Sequence, residues 1–191
     1  MIKKLIKRIL FFLSAAALAL ALSILWYWNS SFRPHLPNIR STILNTSEQH
    51  KNLPTRVKKI IISTNRSYKV HVSKGLFWRF KNKSKNILQW HIKNILWLSF
   101  IKLHFSDEEL LVLWCHFAPF MKEDRNIERG LNNSALFHFK KKIKELNNRE
   151  LLTIIEITKN PARYLKNQEK LEKRVDSLMD KYQSEIETQK P

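Results

Sequence analysis

Lysine and arginine interleaved with aromatic rings form the most obvious chemistry-bearing pattern in this chain. Over residues 74–85, Phe77, Trp78 and Phe80 stand among Lys74, Arg79, Lys81, Lys83 and Lys85. Such a stretch can neutralise phosphates and stack on the bases of single-stranded nucleic acid. It can equally lie on anionic lipid with its rings in the interface. Conventional catalytic signatures are absent: the sequence has no phosphate-cradling G-x-x-x-x-G-K loop, no G-x-S-x-G elbow and no H-E-x-x-H pair. Seven histidines are scattered with none at metal-ligand spacing from a second ligand, so no metal and no cofactor are expected. A single cysteine, Cys115, excludes an intrachain disulfide and a Cys-based metal site. It sits in the apolar run 110–117, where a buried, inert thiol is expected.

Composition bounds the elements that must position these residues. The net charge of +19, from 35 Lys and Arg against 16 Asp and Glu, favours an anionic partner: nucleic acid, acidic headgroups or an acidic polymer. A solvated basic surface is the plainer reading of the same number. Only two Gly and six Pro leave little material for strand turns, which favours helices.

Lys3, Lys4, Lys7 and Arg8 open the chain, and no charge follows until Arg33. The apolar part, residues 9–28, has the length a helix needs to cross a bilayer. It ends in Trp26, Tyr27 and Trp28, side chains suited to the membrane–water interface. The basic cluster ahead of it predicts a cytoplasmic N-terminus (residues 1–8) and an exported remainder, a single-pass topology. A cleaved signal peptide is the competing reading, but the apolar run exceeds a normal signal core. With an anchor present, lipid is favoured over nucleic acid as partner of the 74–85 stretch.

Three of the six prolines fall within 33–54 among Ser, Thr and Asn, so residues 29–53 read as a linker, leaving 54–191 as the domain. Val57, Ile60 and Ile61 predict a short helix after Pro54. Tyr68, Val70 and Val72 alternate briefly. Residues 86–105 are apolar all round, which marks a helix buried in the domain centre or lying against a membrane. Ser106 with Glu109 predicts a capping box opening a helix that Pro119 ends. Further helices are predicted over 127–139, over 147–158 with the Asn147/Glu150 start, and over 168–186 with Leu171, Val175, Leu178 and Tyr182 on one face.

Read in order, the second half resembles the peptidoglycan transglycosylase domain, family 51 of the glycosyltransferases. His104-Phe105-Ser106-Asp107-Glu108-Glu109-Leu110-Leu111, with Trp114 and His116, is similar to the family's R-x-L-S-K-E-E-I-L-x-x-Y-L-N segment. Asn126-Ile127-Glu128-Arg129-Gly130 resembles its G-I-E-A-A element. Phe139-Lys140-Lys141, Glu145-Leu146, Glu150-Leu151-Leu152, Pro161-Ala162-Arg163-Tyr164 and Lys173-Arg174 through Leu178 resemble the elements that follow. Shared order and spacing carry the likeness, since each piece alone is unspecific.

The resemblance implies a mainly α protein: one transmembrane helix followed by a lysozyme-like helical domain with a reduced membrane-proximal lobe. It implies a bacterial inner-membrane location with the domain on the outer side. The catalytic half departs from the family. Its E-D-x-x-F-x-x-H opening is similar to Thr64-Asn65-Arg66-Ser67-Tyr68-Lys69-Val70-His71, so Thr64 stands where the general-base Glu is expected. The G-G-S-T-I-T-Q-Q segment is missing, and Asn94 stands where a second Glu is expected. Neither Thr nor Asn supplies a carboxylate base, a group that typically contributes about two to four orders of magnitude in rate. The expectation is therefore a non-catalytic relative that binds a lipid-linked precursor, a glycan strand or a cell-wall synthesis protein. One alternative is a working transglycosylase whose carboxylate is relocated to Glu128 or Glu150. The other is a tethered basic protein binding acidic lipid or nucleic acid, for which steep salt dependence would be diagnostic. On the family's pattern the candidate binding residues are His71, His116, Arg163 and Arg174. Tyr68 and Trp114 read as core aromatics rather than sugar platforms.

Overall fold

The computed structural model describes residues 2–65, 67–80, 86–122 and 124–188, and is mainly α-helical. It divides into two compact units, residues 1–41 and 42–191.

In the first unit, helix α1 (Ile2–Tyr27) is long and apolar enough to cross a membrane, with mean hydropathy 2.4 and none of the apolar window buried. It starts ahead of the apolar run because Lys and Arg are good helix formers and simply extend it. Ser14 and Ser23 return their hydroxyls to the carbonyls of Phe11 and Ala19, both at 2.8 Å, so neither presents a bare polar group on the apolar surface. The stretch 29–53, expected to be a linker, is helical over much of its length. A π-helical turn (Trp28–Phe32) and a 3-10 turn (Arg33–His35) lead into α2 (Leu36–Leu44). Pro34 and Pro37 lie inside a continuous helical run, Ile2–Leu44, and the winding changes from π to 3-10 at Pro34, where the ring cannot donate an i→i−4 bond.

The second unit is built from α3 (Glu48–Lys51), α4 (Thr55–Thr64), α5 (Tyr68–Phe80), α6 (Ile87–His104), α7 (Asp107–Phe117), α8 (Leu131–Phe139), α9 (Asn148–Lys159), α10 (Pro161–Lys166) and α11 (Gln168–Thr188). The alternation at Tyr68, Val70 and Val72 is helix, not strand. Tyr68, Val72 and Leu76 recur every four residues and are all buried, the spacing of one helix face. Residues 81–85 of the basic stretch lie outside the described residues.

The helix expected over 127–139 is shorter than its pattern. Ile127–Arg129 form strand β2, which pairs antiparallel with β1 (Pro119–Met121) in the register Pro119–Arg129, Phe120–Glu128, Met121–Ile127. Gly130, at φ 107°, makes the turn between β2 and α8 in a conformation L-residues avoid. Apolar periodicity alone could not see that break.

Two clusters hold the unit together. Helix α5 packs on both α6 and α7, with Phe77 edge-on to Trp97 at 5.8 Å and Phe80 stacked on it at 6.4 Å. Helix α9 packs against α4, α8 and α11, burying Leu151, Leu152, Ile154 and Ile155 completely. Each such side chain is worth about 1.5–3 kcal/mol. Both expected capping boxes form: Ser106 accepts from Glu109 N at 3.2 Å and Asn147 from Glu150 N at 2.8 Å, with each Glu returning to the cap's own N–H. Cys115 is fully buried and its thiol is pushed up by desolvation, an inert packing group.

Candidate functional site

A cavity of about 360 Å³ opens where the α4–α5 junction, the end of α7, the β-hairpin and the end of α9 meet. Asn65, His71, Val72, Gly75, Trp114, Phe117, Ala118, Pro119, Ile127, Arg129, Thr158 and Lys159 line it. Among the described residues its charged groups are Arg129 and Lys159, and no carboxylate is in the lining. His71 sits at the surface of α5, and its pKa is lowered by partial desolvation and by the nearby Lys74 and Lys159. The imidazole is thus neutral at neutral pH, and the cavity's positive charge comes from Arg129 and Lys159. Gly75 opens the wall: a Cβ there would meet no atom within 4 Å.

Lys159 is held in place from below. Its ammonium pairs with Glu156 at 2.6 Å, and Glu156, only 4% exposed, also accepts from the Tyr164 hydroxyl at 2.7 Å and faces Arg174 Nε at 3.6 Å. A buried carboxylate needs such partners to remain charged. Arg174, a candidate binding residue, is therefore engaged with Glu156 and does not line the cavity. Arg163 lies on exposed α10, where Asn160 Oδ1 caps its backbone N–H, and it too is not a lining residue. His116 is half-buried in the last turn of α7, its ring edge-on to Phe117 at 4.9 Å, with its pKa lowered by burial and by Arg79 and Arg129. Phe117 lines the cavity and His116 does not. Of the four candidates, only His71 reaches the cavity.

The positions resembling the family's glutamates are not brought together. Thr64 ends α4, its hydroxyl turned back to the Ile60 carbonyl at 2.6 Å, while its neighbour Asn65 reaches the cavity. Asn94 lies on α6 and lines a separate, smaller cavity of about 160 Å³ between α5 and α6. The α5 residues of that cavity (Val70, Ser73, Lys74) and of the His71 cavity (His71, Val72, Gly75) occupy opposite faces of the helix.

Neither relocated carboxylate serves the His71 cavity. Side chains alternate along a strand, so Ile127 and Arg129 face the cavity and Glu128 faces the other way, where it pairs with Lys122. Glu150 is consumed by the α9 capping box and by Lys141 at 2.6 Å, interactions that hold its carboxyl below the usual range. It lines a different cavity of about 420 Å³ bounded by α9, α10 and α11.

Asn65, Arg129, Thr158, Lys159 and Glu156 escaped the sequence reading. No motif groups them, because they come from three separate turns. The one local signal was Lys159 beside the helix-ending Asn160-Pro161.

These elements follow the order of a known domain. The model of the transglycosylase family matches residues 72–183, more than half of the chain, and the chain belongs to that family. It is a peptidoglycan glycosyltransferase-like protein, mainly α, with an N-terminal helix long enough to span a membrane. Among curated proteins none matches the chain.

Proposed function

We propose that this protein binds, rather than polymerises, an anionic lipid-linked cell-wall precursor or glycan in the His71 cavity. One observation supports the reading: among the described residues that line it, the cavity beside Thr64 has Arg129 and Lys159, the latter backed by Glu156, and no carboxylate. Glycosyl transfer needs a base for the acceptor hydroxyl and groups that offset the charge of a leaving pyrophosphate. Arg129 and Lys159 suit the second need, which is also a binding need. In this reading α1 is a retained anchor with its N-terminus in the cytoplasm, and the domain, on the outer side, presents bound precursor or glycan to a cell-wall synthesis partner.

His71 supports a second reading. It is neutral at neutral pH and lines the same cavity, so a polymerase built on this chain would use its imidazole as the proton acceptor.

The test is polymerisation of labelled lipid-linked disaccharide-peptide by the purified full chain in detergent, beside an authentic transglycosylase, with binding of the same substrate followed in parallel. Expected are saturable binding and no glycan product. Gly75→Trp, which fills the cavity, should abolish binding. Arg129→Ala and Lys159→Ala should each weaken it by about tenfold or more. Product from the wild type that His71→Gln eliminates would replace the first reading by the second. Product lost in Glu128→Gln would refute both.

A further inference from the structure

Beyond the His71 cavity, on the opposite face of α5, the geometry points to a headgroup site for an anionic glycerophospholipid bearing a free hydroxyl. Three residues lining the small cavity between α5 and α6 each carry a buried polar atom with no partner among the described residues: Ser73 Oγ, Trp90 Nε1 and Asn94 Oδ1. Ser73 is only 1% exposed, so its hydroxyl is well removed from bulk solvent. The polarity of each group is fixed by its surroundings. Asn94 Nδ2 donates to the Trp90 carbonyl at 2.9 Å, which leaves Oδ1 as an acceptor. Trp90 Nε1 can only donate, and Ser73 can do either. One donor and one acceptor, on two side chains that line about 160 Å³ and lie one helical turn apart, complement a hydroxyl group, which would accept from the indole and donate to the amide oxygen. A phosphate oxygen there would meet the Asn94 oxygen unfavourably. Lys74, exposed and lining the same cavity, is where an anionic phosphate belongs.

The surface around the cavity supplies what the rest of a lipid needs. Leu88, Ile92, Ile95 and Leu103 of α6 are 51–79% exposed and recur at the spacing of one helix face. Ser99, the one polar residue in that stripe, returns its hydroxyl to the Ile95 carbonyl at 3.1 Å, so the stripe presents no unsatisfied donor. Ile95 belongs to both the stripe and the cavity wall, so a chain leaving the headgroup passes directly onto apolar surface. An exposed apolar stripe costs free energy in water, and acyl chains cover it while Lys74 meets the phosphate. Water could satisfy the three polar atoms, but it accounts for neither Lys74 nor the stripe.

The experiment uses the full chain in phosphatidylcholine nanodiscs, with increasing phosphatidylglycerol, and follows the Trp90 indole N–H resonance, assigned with Trp90→Phe. Expected is a shift that saturates with phosphatidylglycerol, is absent with phosphatidylserine at equal charge, and is lost in Asn94→Leu. Lys74→Ala, at an exposed position where folding is not at stake, should weaken the response about tenfold. No shift, an equal shift with phosphatidylserine, or a shift that survives Lys74→Ala overturns the proposal. Equal saturation by free glycerol 3-phosphate would also overturn it, by assigning the site to a soluble phosphate.

Discussion

Acid should loosen the second unit, with a separable contribution from His50. The side chain is 5% exposed, and its Nε2 accepts the Asn132 N–H at 3.1 Å. That N–H is an orphan donor at the start of α8, whose N-cap Gly130 has no side chain to offer, so His50 caps the helix from 82 residues away in sequence. An imidazolium has no lone pair at Nε2 and would turn a second N–H against the first. Burial, reinforced by His116, accordingly lowers the pKa from 6.5 to about 4. The unfolded chain then takes up a proton below pH 6.5 while the folded chain refuses it down to about pH 4. The stabilisation is therefore complete above pH 6.5, falls as pH drops through this window, and is gone below about pH 4. At about 1.4 kcal/mol per pH unit, the full effect is about 3 kcal/mol, of which roughly 2 kcal/mol falls between pH 7 and 4.5. The assay is guanidinium unfolding of the full chain in detergent at a series of pH values, wild type against His50→Gln. Gln can still accept the Asn132 N–H but does not titrate. His71 and His138, also lowered, are common to both proteins and cancel in the difference, while the coupling of His50 to His116 is part of the effect measured. Parallel pH profiles for wild type and variant would refute the assignment of the acid sensitivity to His50.

Other perturbations follow from single contacts. Gly75→Ala adds a methyl in open space on a helix and should stabilise by about 0.5–1 kcal/mol, seen as a raised Tm; a fall would mean the wall is tighter than described. Gly130→Ala should destabilise by about 1–2 kcal/mol in denaturant unfolding, because a Cβ at φ 107° would lie 3.1 Å from Asn133 Nδ2. Asn147→Ala removes the cap of α9 and should cost about 1 kcal/mol by the same measurement, with Asn147→Ser restoring most of it. An unchanged stability in the Ala variant would show that the capping box contributes nothing here.

What the sequence determined by itself was the part of the molecule governed by local physics. The apolar length of α1, the Ser106 and Asn147 capping boxes, the amphipathic face of α11 and the buried thiol of Cys115 all follow from residue type and spacing along one helix. The order of small motifs along the second half sufficed to reach the family. Tertiary structure decided the rest. A glycine at φ 107° turned the start of an apparent helix into strand β2, and that single change aims Arg129 into the His71 cavity and Glu128 out of it. Arg174 looked free for a ligand until α11 packed against α9 and set it beside buried Glu156. His50 and Asn132, or Ser73, Trp90 and Asn94, share no periodicity a reader of the chain could use. Hydrophobic periodicity reports which face of an element is buried, but only the packing of elements fixes which polar groups converge, and that convergence is where binding chemistry lies.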